Sequence, residues 1–489
     1  MLRTVSVFLL SLALAGLLGA FSPVCADAFD FDATLRIDYN HTGAAGEEIV
    51  ALDRLHREGV WPGPRLDLTG DLDLGRYRAL LLDGATGEVL FSRGFDSYFG
   101  EWKTTGPAAD GVRRTYHESV RTPFPTAPVT FTLEARDDTG QFQEVYRVAI
   151  DPADPEIRRD PVDSDIVVVD AHVGDTPAKC VDVVILGEGY LPQDAAKFEK
   201  DIRHFAAALL GQEPFKSLSD RVSVRGVMKP SQERGCDEPT RGLHRNTALG
   251  CTFNSLGSSR YMLTEDNKAI RDAAAAAPYD VLSVMVNTDR YGGGGIYNLF
   301  NTFTSDNQWS DYVFVHEFGH GFAGLADEYY SSTTAYTDFY PPGVEPAERN
   351  ITRLIDGTPK WQDKLTAGVA VPTPWNKAEF DAMDAAYQTR RGANTQLVAD
   401  LMTGGGSEAE IEAAKAAGEK LSKDHQDKVD AWFAENPTFG QVGVFEGAGY
   451  SSEGVYRSEL DCIMFTKGLK RFCAACSAGV LEVVESMTD

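Results

Sequence analysis

Residues His316-Glu317-Phe318-Gly319-His320 set two histidines four apart with a glutamate beside the first, and this box restricts what the chain can become more than any other stretch. On an α-helix, residues four apart differ by about 40° of rotation and about 6 Å of rise, so both imidazoles leave one face and can grip one ion. The flanking Trp309, Tyr312, Val313, Val315, Phe318 and Phe322 recur at helical spacing, which predicts a largely buried helix. Two imidazoles and a carboxylate are costly to bury there without an ion or other partners. Neutral imidazoles suit Zn²⁺, and a catalytic zinc site takes three protein ligands and keeps a position for water. Glu317 sits where its carboxylate can reach that water, whose pKa falls towards about 7 on the metal. The box predicts one catalytic zinc ion, with His316 and His320 as ligands and Glu317 as general base.

The third ligand must come from beyond the helix. A zincin pattern continues from the second histidine as x-x-G-x-x-H, the glycine turning the chain back towards the metal. Here Gly324-x-x-Asp327 keeps the glycine-to-ligand spacing, one residue later and with aspartate in place of histidine. On a straight helix Asp327 would lie about 10 Å past His320, so a break near Gly324 is required, and glycine permits it through positive φ. Glu328 is the competing ligand. Further on, Met464 is a candidate apolar floor beneath the ligands, and Tyr450 and Tyr456 are candidate donors to a developing oxyanion. Each can equally be ordinary core.

The 489 residues carry 46 basic against 73 acidic side chains, a formal net charge of −27, which repels nucleic acid and anionic membranes. Met1-Leu2-Arg3, the apolar run Val5 to Leu18 and Val24-Cys25-Ala26 read as a secretory signal cleaved after Ala26, predicting a secreted or periplasmic protein. No later run of about 18 apolar residues predicts a membrane span. Removing Cys25 leaves Cys180, Cys236, Cys251, Cys462, Cys473 and Cys476, an even set that in an oxidising compartment predicts disulfides, Cys236 with Cys251 first. Cys473-x-x-Cys476 with Cys462 upstream makes a zinc knuckle lacking its fourth ligand, so export favours a staple there too.

Two regions are predicted after the signal at 1–26, the second carrying an insert. Over 27–161, short alternating runs such as Ala33 to Tyr39, Arg78 to Leu82 and Val129 to Ala135, broken by Gly, Pro and Asp, predict a β-sandwich domain ending in an acidic, proline-containing linker. Over 162–489, strand-like runs at Ile166 to Val169, Val181 to Leu186, Val222 to Met228 and Val281 to Val286 alternate with helical stretches, predicting a mixed α/β catalytic domain. Within it Trp375 to Ala399 and Ser407 to Phe433, split by Gly404-Gly405-Gly406, predict an inserted helical hairpin over about 375–436, with Ser407 and Glu410 as a capping box. The glycine run Tyr291-Gly-Gly-Gly-Gly-Ile-Tyr297 reads either as a loop or as an edge strand rimming the cleft, open to a peptide backbone.

The run H-E-F-G-H-G-F-A-G-L-A-D-E-Y from His316 to Tyr329, with Asn246 to Gly250, Phe445 to Ala448 and Asp461-Cys462-Ile463-Met464, resembles the bacterial IgA-peptidase-like family of zinc metallopeptidases. The resemblance covers most of Val168 to Val480, and the β-rich N-terminus looks like the domain that often precedes it. It implies a metzincin-like zincin domain with His316, His320 and Asp327 as ligands, Glu317 as base and Met464 as the methionine turn; the helical insert departs from the pattern. Together these readings predict a secreted zinc-dependent endopeptidase acting on protein or peptide substrates. The competing readings are a zinc amidase acting on cell-envelope polymers and a non-catalytic surface-binding protein with a structural zinc site.

Overall fold

A computed structural model describes residues 27–70, 72–330, 340 and 343–489; the signal segment expected over 1–26 lies outside them. Seven strands come first: β1 (Phe29–Ala44), β2 (Glu47–Glu58), β3 (Tyr77–Asp83), β4 (Val89–Phe95), β5 (Arg114–Pro125), β6 (Val129–Arg136) and β7 (Phe142–Ile150). They form two antiparallel sheets in the orders β2-β1-β5 and β4-β3-β6-β7. Leu35, Ile37 and Tyr39 of one sheet meet Leu81, Phe131 and Leu133 of the other in a shared apolar core, the two-layer arrangement the alternation predicts.

β2 and β5 escaped the sequence pattern because much of their length is polar yet not solvated. The β1 and β5 face away from the sandwich core carries a buried polar network in which Arg36 pairs with Asp38 and Glu58 and Ser119 donates to Asp38 Oδ1 at 2.6 Å; on the core side His41 bonds Glu118 and Glu48 at 2.9 and 2.8 Å. The network reaches into the next region, where Arg36 meets Asp272 at 2.9 Å, Asn267 donates to Ser119 at 2.7 Å and Arg121 donates to the carbonyl of Tyr279. Beside it, Phe99 and Trp102 of a short helix, α1 (Tyr98–Lys103), join Val184 and Leu186 in one apolar cluster. A second short helix, α2 (Gly106–Ala109), follows. The N-terminal β region is therefore packed against the region after it.

That region begins with β8 (Val167–His172), β9 (Val181–Glu188), α3 (Ala195–Leu210) and β10 (Val222–Met228), then a small ladder, β11 (Cys251–Thr252) with β12 (Leu263–Thr264), and α4 (Asn267–Ala274). β13 (Val281–Val286), β14 (Gly293–Ile296), β15 (Phe300–Thr304) and α5 (Ser310–Ala323) complete the core. Six strands make one sheet in the order β14-β15-β13-β9-β10-β8, parallel through β15, β13, β9 and β10 and antiparallel at both edges. β9 is buried at every position: Val183 and Ile185 face the cluster holding α3 and α5, and Val184 and Leu186 the cluster holding α4. A strand covered on both faces reads as continuous apolar sequence. The fold is thus mixed α/β with an N-terminal β region.

The predicted insert is a helical hairpin, α6 (Lys377–Gly404) and α7 (Glu408–Ala434). Ser407 and Glu410 close the capping box, the Glu410 N–H donating to Ser407 Oγ and the Ser407 N–H to the Glu410 carboxylate. Phe380 and Phe433 anchor the pair on Phe465. A three-stranded sheet of β16 (Ile351–Thr352), β17 (Phe445–Ala448) and β18 (Ser451–Arg457) in the order β16-β18-β17, and the C-terminal α8 (Ala474–Met487), finish the fold. Among the described residues no helix is long and apolar enough to cross a membrane.

The glycine run is the antiparallel edge strand β14, and its lack of side chains has a cause beyond access for a peptide. A β-carbon on Gly295 would sit 2.7 Å from the Glu317 carbonyl oxygen and 2.8 Å from His320 Cβ. α5 thus lies directly on the strand, which is possible only where the strand has no side chain.

Candidate metal centre

α5 is buried along most of its length, as its apolar pattern requires, and it ends at Ala323. Gly324 takes φ 56°; its N–H closes the last turn on the His320 carbonyl at 3.0 Å, and the Leu325 N–H returns to the Gly319 carbonyl at 3.2 Å. This left-handed cap reverses the chain within one residue. Asp327 comes back over the histidines instead of running on along the axis.

Three donor atoms then converge. His316 Nε2 and His320 Nε2 are 3.2 Å apart, and Asp327 Oδ1 lies 3.1 Å from the first and 3.2 Å from the second. Ligands about 2.0–2.1 Å from a tetrahedral ion are separated by about 3.3 Å, so the triangle has the size of one face of a zinc coordination shell. Both outer ring nitrogens are engaged: His316 Nδ1 donates to the carbonyl of Ile463 at 2.9 Å and His320 Nδ1 to that of Leu325 at 2.5 Å. A carbonyl can only accept, so each Nδ1 carries a hydrogen and each Nε2 is left facing Asp327, the nitrogen that would give its lone pair to an ion. The donor set fits a divalent ion.

The electrostatics agree. Burial and the pull of His320 and His316 oppose each other at Asp327, and the imidazoles win, holding its carboxyl well below the usual carboxylate range. Burial would lower His320, but the Asp327 carboxylate outweighs it and lifts the imidazole to about 9. Without an ion a proton occupies the centre, and ligation must displace it. Burial raises Glu317 above an ordinary glutamate, partly offset by His316 and His320.

Of the other residues singled out from sequence, Met464 packs under the helix, its Sδ 3.1 Å from where a β-carbon on Gly319 would sit. The Tyr450 hydroxyl donates to Asp327 Oδ2. Tyr456 stands apart: it sits on β18 opposite Thr352 and Glu446 and is not among the residues lining the cleft. Strand alternation turns its buried neighbour Arg457 inward instead, over Phe465 and Trp375. Glu328 is brought near the metal triad in sequence only. Its side chain turns the other way, to Cys473 and Cys476.

The expected Cys236–Cys251 staple is not formed, and all six cysteines of the described residues are free thiols. Cys236 and Cys251 are both buried, and their segments are already held together by the Asp237 N–H to Cys251 carbonyl bond at 3.0 Å. Glu188 takes the Cys251 N–H at 2.9 Å.

The triad opens onto a cavity of about 310 Å³ lined by β14, α5, the helical hairpin and Asp96 and Glu101 of the N-terminal β region. Sequence reasoning gave no hint of three cations in it, Arg260, Arg391 and Lys467, which come from unrelated elements. Lys467 lies over Tyr291 at 4.4 Å; burial, with Arg391 and Arg260 nearby, lowers it to about 7.

The sequence profile of the family described as IgA Peptidase M64 matches residues 169–484. The chain belongs to this family. A second profile, Peptidase M64 N-terminus, matches residues 26–147, the β-sandwich region, so both parts of the chain are accounted for by M64 patterns. No curated protein matches the chain. M64 membership makes the protein a metallopeptidase, a hydrolase with protein substrates, and the triad is one of the groups of side chains among the described residues that could hold a metal ion.

Proposed function

We propose that this M64 peptidase is an exported, zinc-dependent endopeptidase with a metzincin-like catalytic domain, in which His316, His320 and Asp327 hold the ion, Met464 underlies it and Glu317 is the general base. The observation that carries this reading is the 3.1–3.2 Å triangle of Nε2, Nε2 and carboxylate oxygen at the foot of the cleft, with Glu317 on the same helix and lining the same cavity. When bound, the ion supplies Lewis acidity to a water and to the scissile carbonyl.

The protein's own groups do the rest. His316 and His320 are fixed by their Nδ1 bonds to backbone carbonyls, so the donors do not reorganise when charge develops. Glu317 takes the proton of the attacking water on its carboxylate and returns it to the leaving amine; its burial-raised affinity for a proton favours that shuttle at neutral pH. β14 lines the cleft as a wall, its outer edge already paired at Gly293, whose N–H donates to the Arg260 carbonyl and whose carbonyl accepts from the Met262 N–H. The Tyr450 hydroxyl, on Asp327, steadies the third ligand, the role we assign it in place of oxyanion stabilisation. Export rests on the apolar N-terminal segment.

Glu317→Gln preserves shape and removes the base. It should keep the zinc content of the wild type while lowering kcat/KM on an unbiased peptide library by about 10²- to 10⁴-fold. Activity within a few-fold of wild type would overturn the assignment.

A further inference from the structure

Behind the triad lies a second convergence of metal-ligating side chains. Cys462, in the turn that carries Met464, and Cys473 and Cys476, at the start of α8, meet Glu328 with one ligand atom from each within 4.8 Å of the others. All four side chains are essentially without exposure, 1 % for Cys462 and 0 % for the rest. We propose that these four residues bind a second ion, a structural Zn²⁺ in a closed Cys₃Glu shell.

The distances match that shell and not a disulfide. Cys462 Sγ and Cys476 Sγ are 3.7 Å apart, whereas two thiolates about 2.3 Å from a tetrahedral zinc are separated by about 3.8 Å and a disulfide needs about 2.05 Å. Glu328 Oε1 lies 3.3 and 3.2 Å from Cys473 Sγ and Cys476 Sγ, near the roughly 3.5 Å edge between a sulfur and an oxygen ligand. A disulfide uses two sulfurs of three, leaving a thiol and a buried carboxylate together; four-coordinate zinc uses every member.

Two further observations point to a cation. Glu328 Oε2 is buried and has no hydrogen-bond partner, although its other oxygen accepts from Asn350 Nδ2 at 3.2 Å; a fully buried carboxylate oxygen without a partner is expensive. The sulfurs, conversely, are surrounded by donors, as anions would be. Cys462 Sγ receives the N–H groups of Met464 and Cys473 at 3.5 and 3.2 Å, and Cys473 Sγ receives the Ser458 hydroxyl at 3.1 Å and the Cys476 N–H at 3.4 Å. Cys473 is also the N-cap of α8, where the helix dipole favours a thiolate. On binding, three thiols lose their protons to solvent and each sulfur gives a lone pair to Zn²⁺, with no change of oxidation state.

Such an ion would brace the catalytic triad without touching substrate. Glu328 follows Asp327 directly, and its N–H donates to the Met464 carbonyl at 2.8 Å; Ile463, next to Cys462, receives the His316 ring. Three segments that position the triad, the return after Gly324, the methionine turn and α8, would be tied at one point.

The test uses the full chain and Co²⁺ as spectroscopic probe, with no reliance on activity. His316→Ala/His320→Ala empties the proposed catalytic site. This variant should still bind one Co²⁺ per chain with the intense thiolate-to-cobalt charge-transfer absorption of a sulfur-rich tetrahedral site, while wild type should be purified with two zinc ions per chain. Glu328→Gln, which keeps size and packing, should release the thiolate-bound ion to a mild chelator at least tenfold faster than wild type. Peptide mapping of wild type denatured in chelator without reductant should find Cys462, Cys473 and Cys476 all alkylated. A double variant that binds no Co²⁺, a cobalt spectrum without thiolate absorption, or a disulfide between any two of the three would overturn the proposal. None of these outcomes bears on Glu317, so the catalytic reading stands or falls separately.

Discussion

Gly295→Ala reports on how the site is positioned without altering a single ligand. The new β-carbon would meet the Glu317 carbonyl oxygen at 2.7 Å and His320 Cβ at 2.8 Å, where ordinary contact begins near 3.4 Å. Neither obstacle is the free end of a flexible side chain; both belong to α5 close to its axis. The helix must therefore back away from β14 by about 0.6–0.7 Å, or the strand must bow out by as much, an overpacking that costs about 1–3 kcal/mol. The shift moves His320 and Glu317 together relative to Asp327, which is held from the other side by Tyr450 and the chain around Asn350. A displacement approaching 1 Å at a reacting centre lowers turnover by about 10²-fold. We expect kcat to fall by about 30- to 100-fold, zinc to dissociate faster, and the unfolding midpoint to drop by a few degrees. Steady-state kinetics on a peptide substrate, metal analysis and calorimetry on the same preparation supply the three readouts. A variant with kcat within twofold of wild type and unchanged thermal stability would show that α5 and β14 do not constrain each other in this way.

Other consequences are smaller in scope. In metal-free protein the His320 imidazole, lifted to about 9 chiefly by Asp327, should stay protonated through neutral pH; since a raised value means the proton leaves only as pH climbs towards 9, ligation should tighten over that range. Ring-nitrogen NMR tests this, and a midpoint near the ordinary histidine value would refute it. Tyr450→Phe removes the hydroxyl donated to Asp327 and should weaken zinc binding by about 10-fold or more; lost turnover with unchanged zinc affinity would instead make the phenol an oxyanion donor. Lys467 lies over Tyr291 and Trp309, donates to Ser422 Oγ at 3.3 Å, and faces Arg391 and Arg260. Its lowered value, about 7, means the positive charge is present below neutrality and lost above it, so KM for peptides with an acidic side chain near the scissile bond should rise between pH 6 and 8, and Lys467→Arg should flatten that rise. A pH-independent KM ratio for acidic over neutral peptides would contradict it.

Much of this protein is legible from local pattern. The continuous apolar runs of β9 and β13 announce strands covered on both faces, the period of α5 announces a buried helix, and Ser407 with Glu410 marks the start of α7. The family resemblance, carried by the run from His316 to Tyr329, agrees with the M64 profiles. β2 and β5 were invisible because their polar residues are satisfied across chain separations that no short window contains, Ser119 of β5 by Asp38 and Asn267 and Glu58 of β2 by Arg36 and Arg121. Arg457, fully buried, is a similar case: its two terminal guanidinium nitrogens donate to the carbonyls of Glu446, Gly447 and Leu460.

The same division runs through the site. Spacing alone determined that His316 and His320 share a helix face and that a glycine must end that helix, because both follow from 3.6 residues per turn. Spacing favoured Asp327 over Glu328 but left Glu328 as a competitor, because the two are adjacent and chemically alike. The φ of Gly324 and the placement of α8 and the turn carrying Met464 separate the two carboxylates, turning Asp327 onto the imidazoles and Glu328 onto three sulfurs 134 to 148 positions later in the chain. Local geometry is written in neighbouring residues, whereas a carboxylate's partner depends on which distant segment the packed core carries to it.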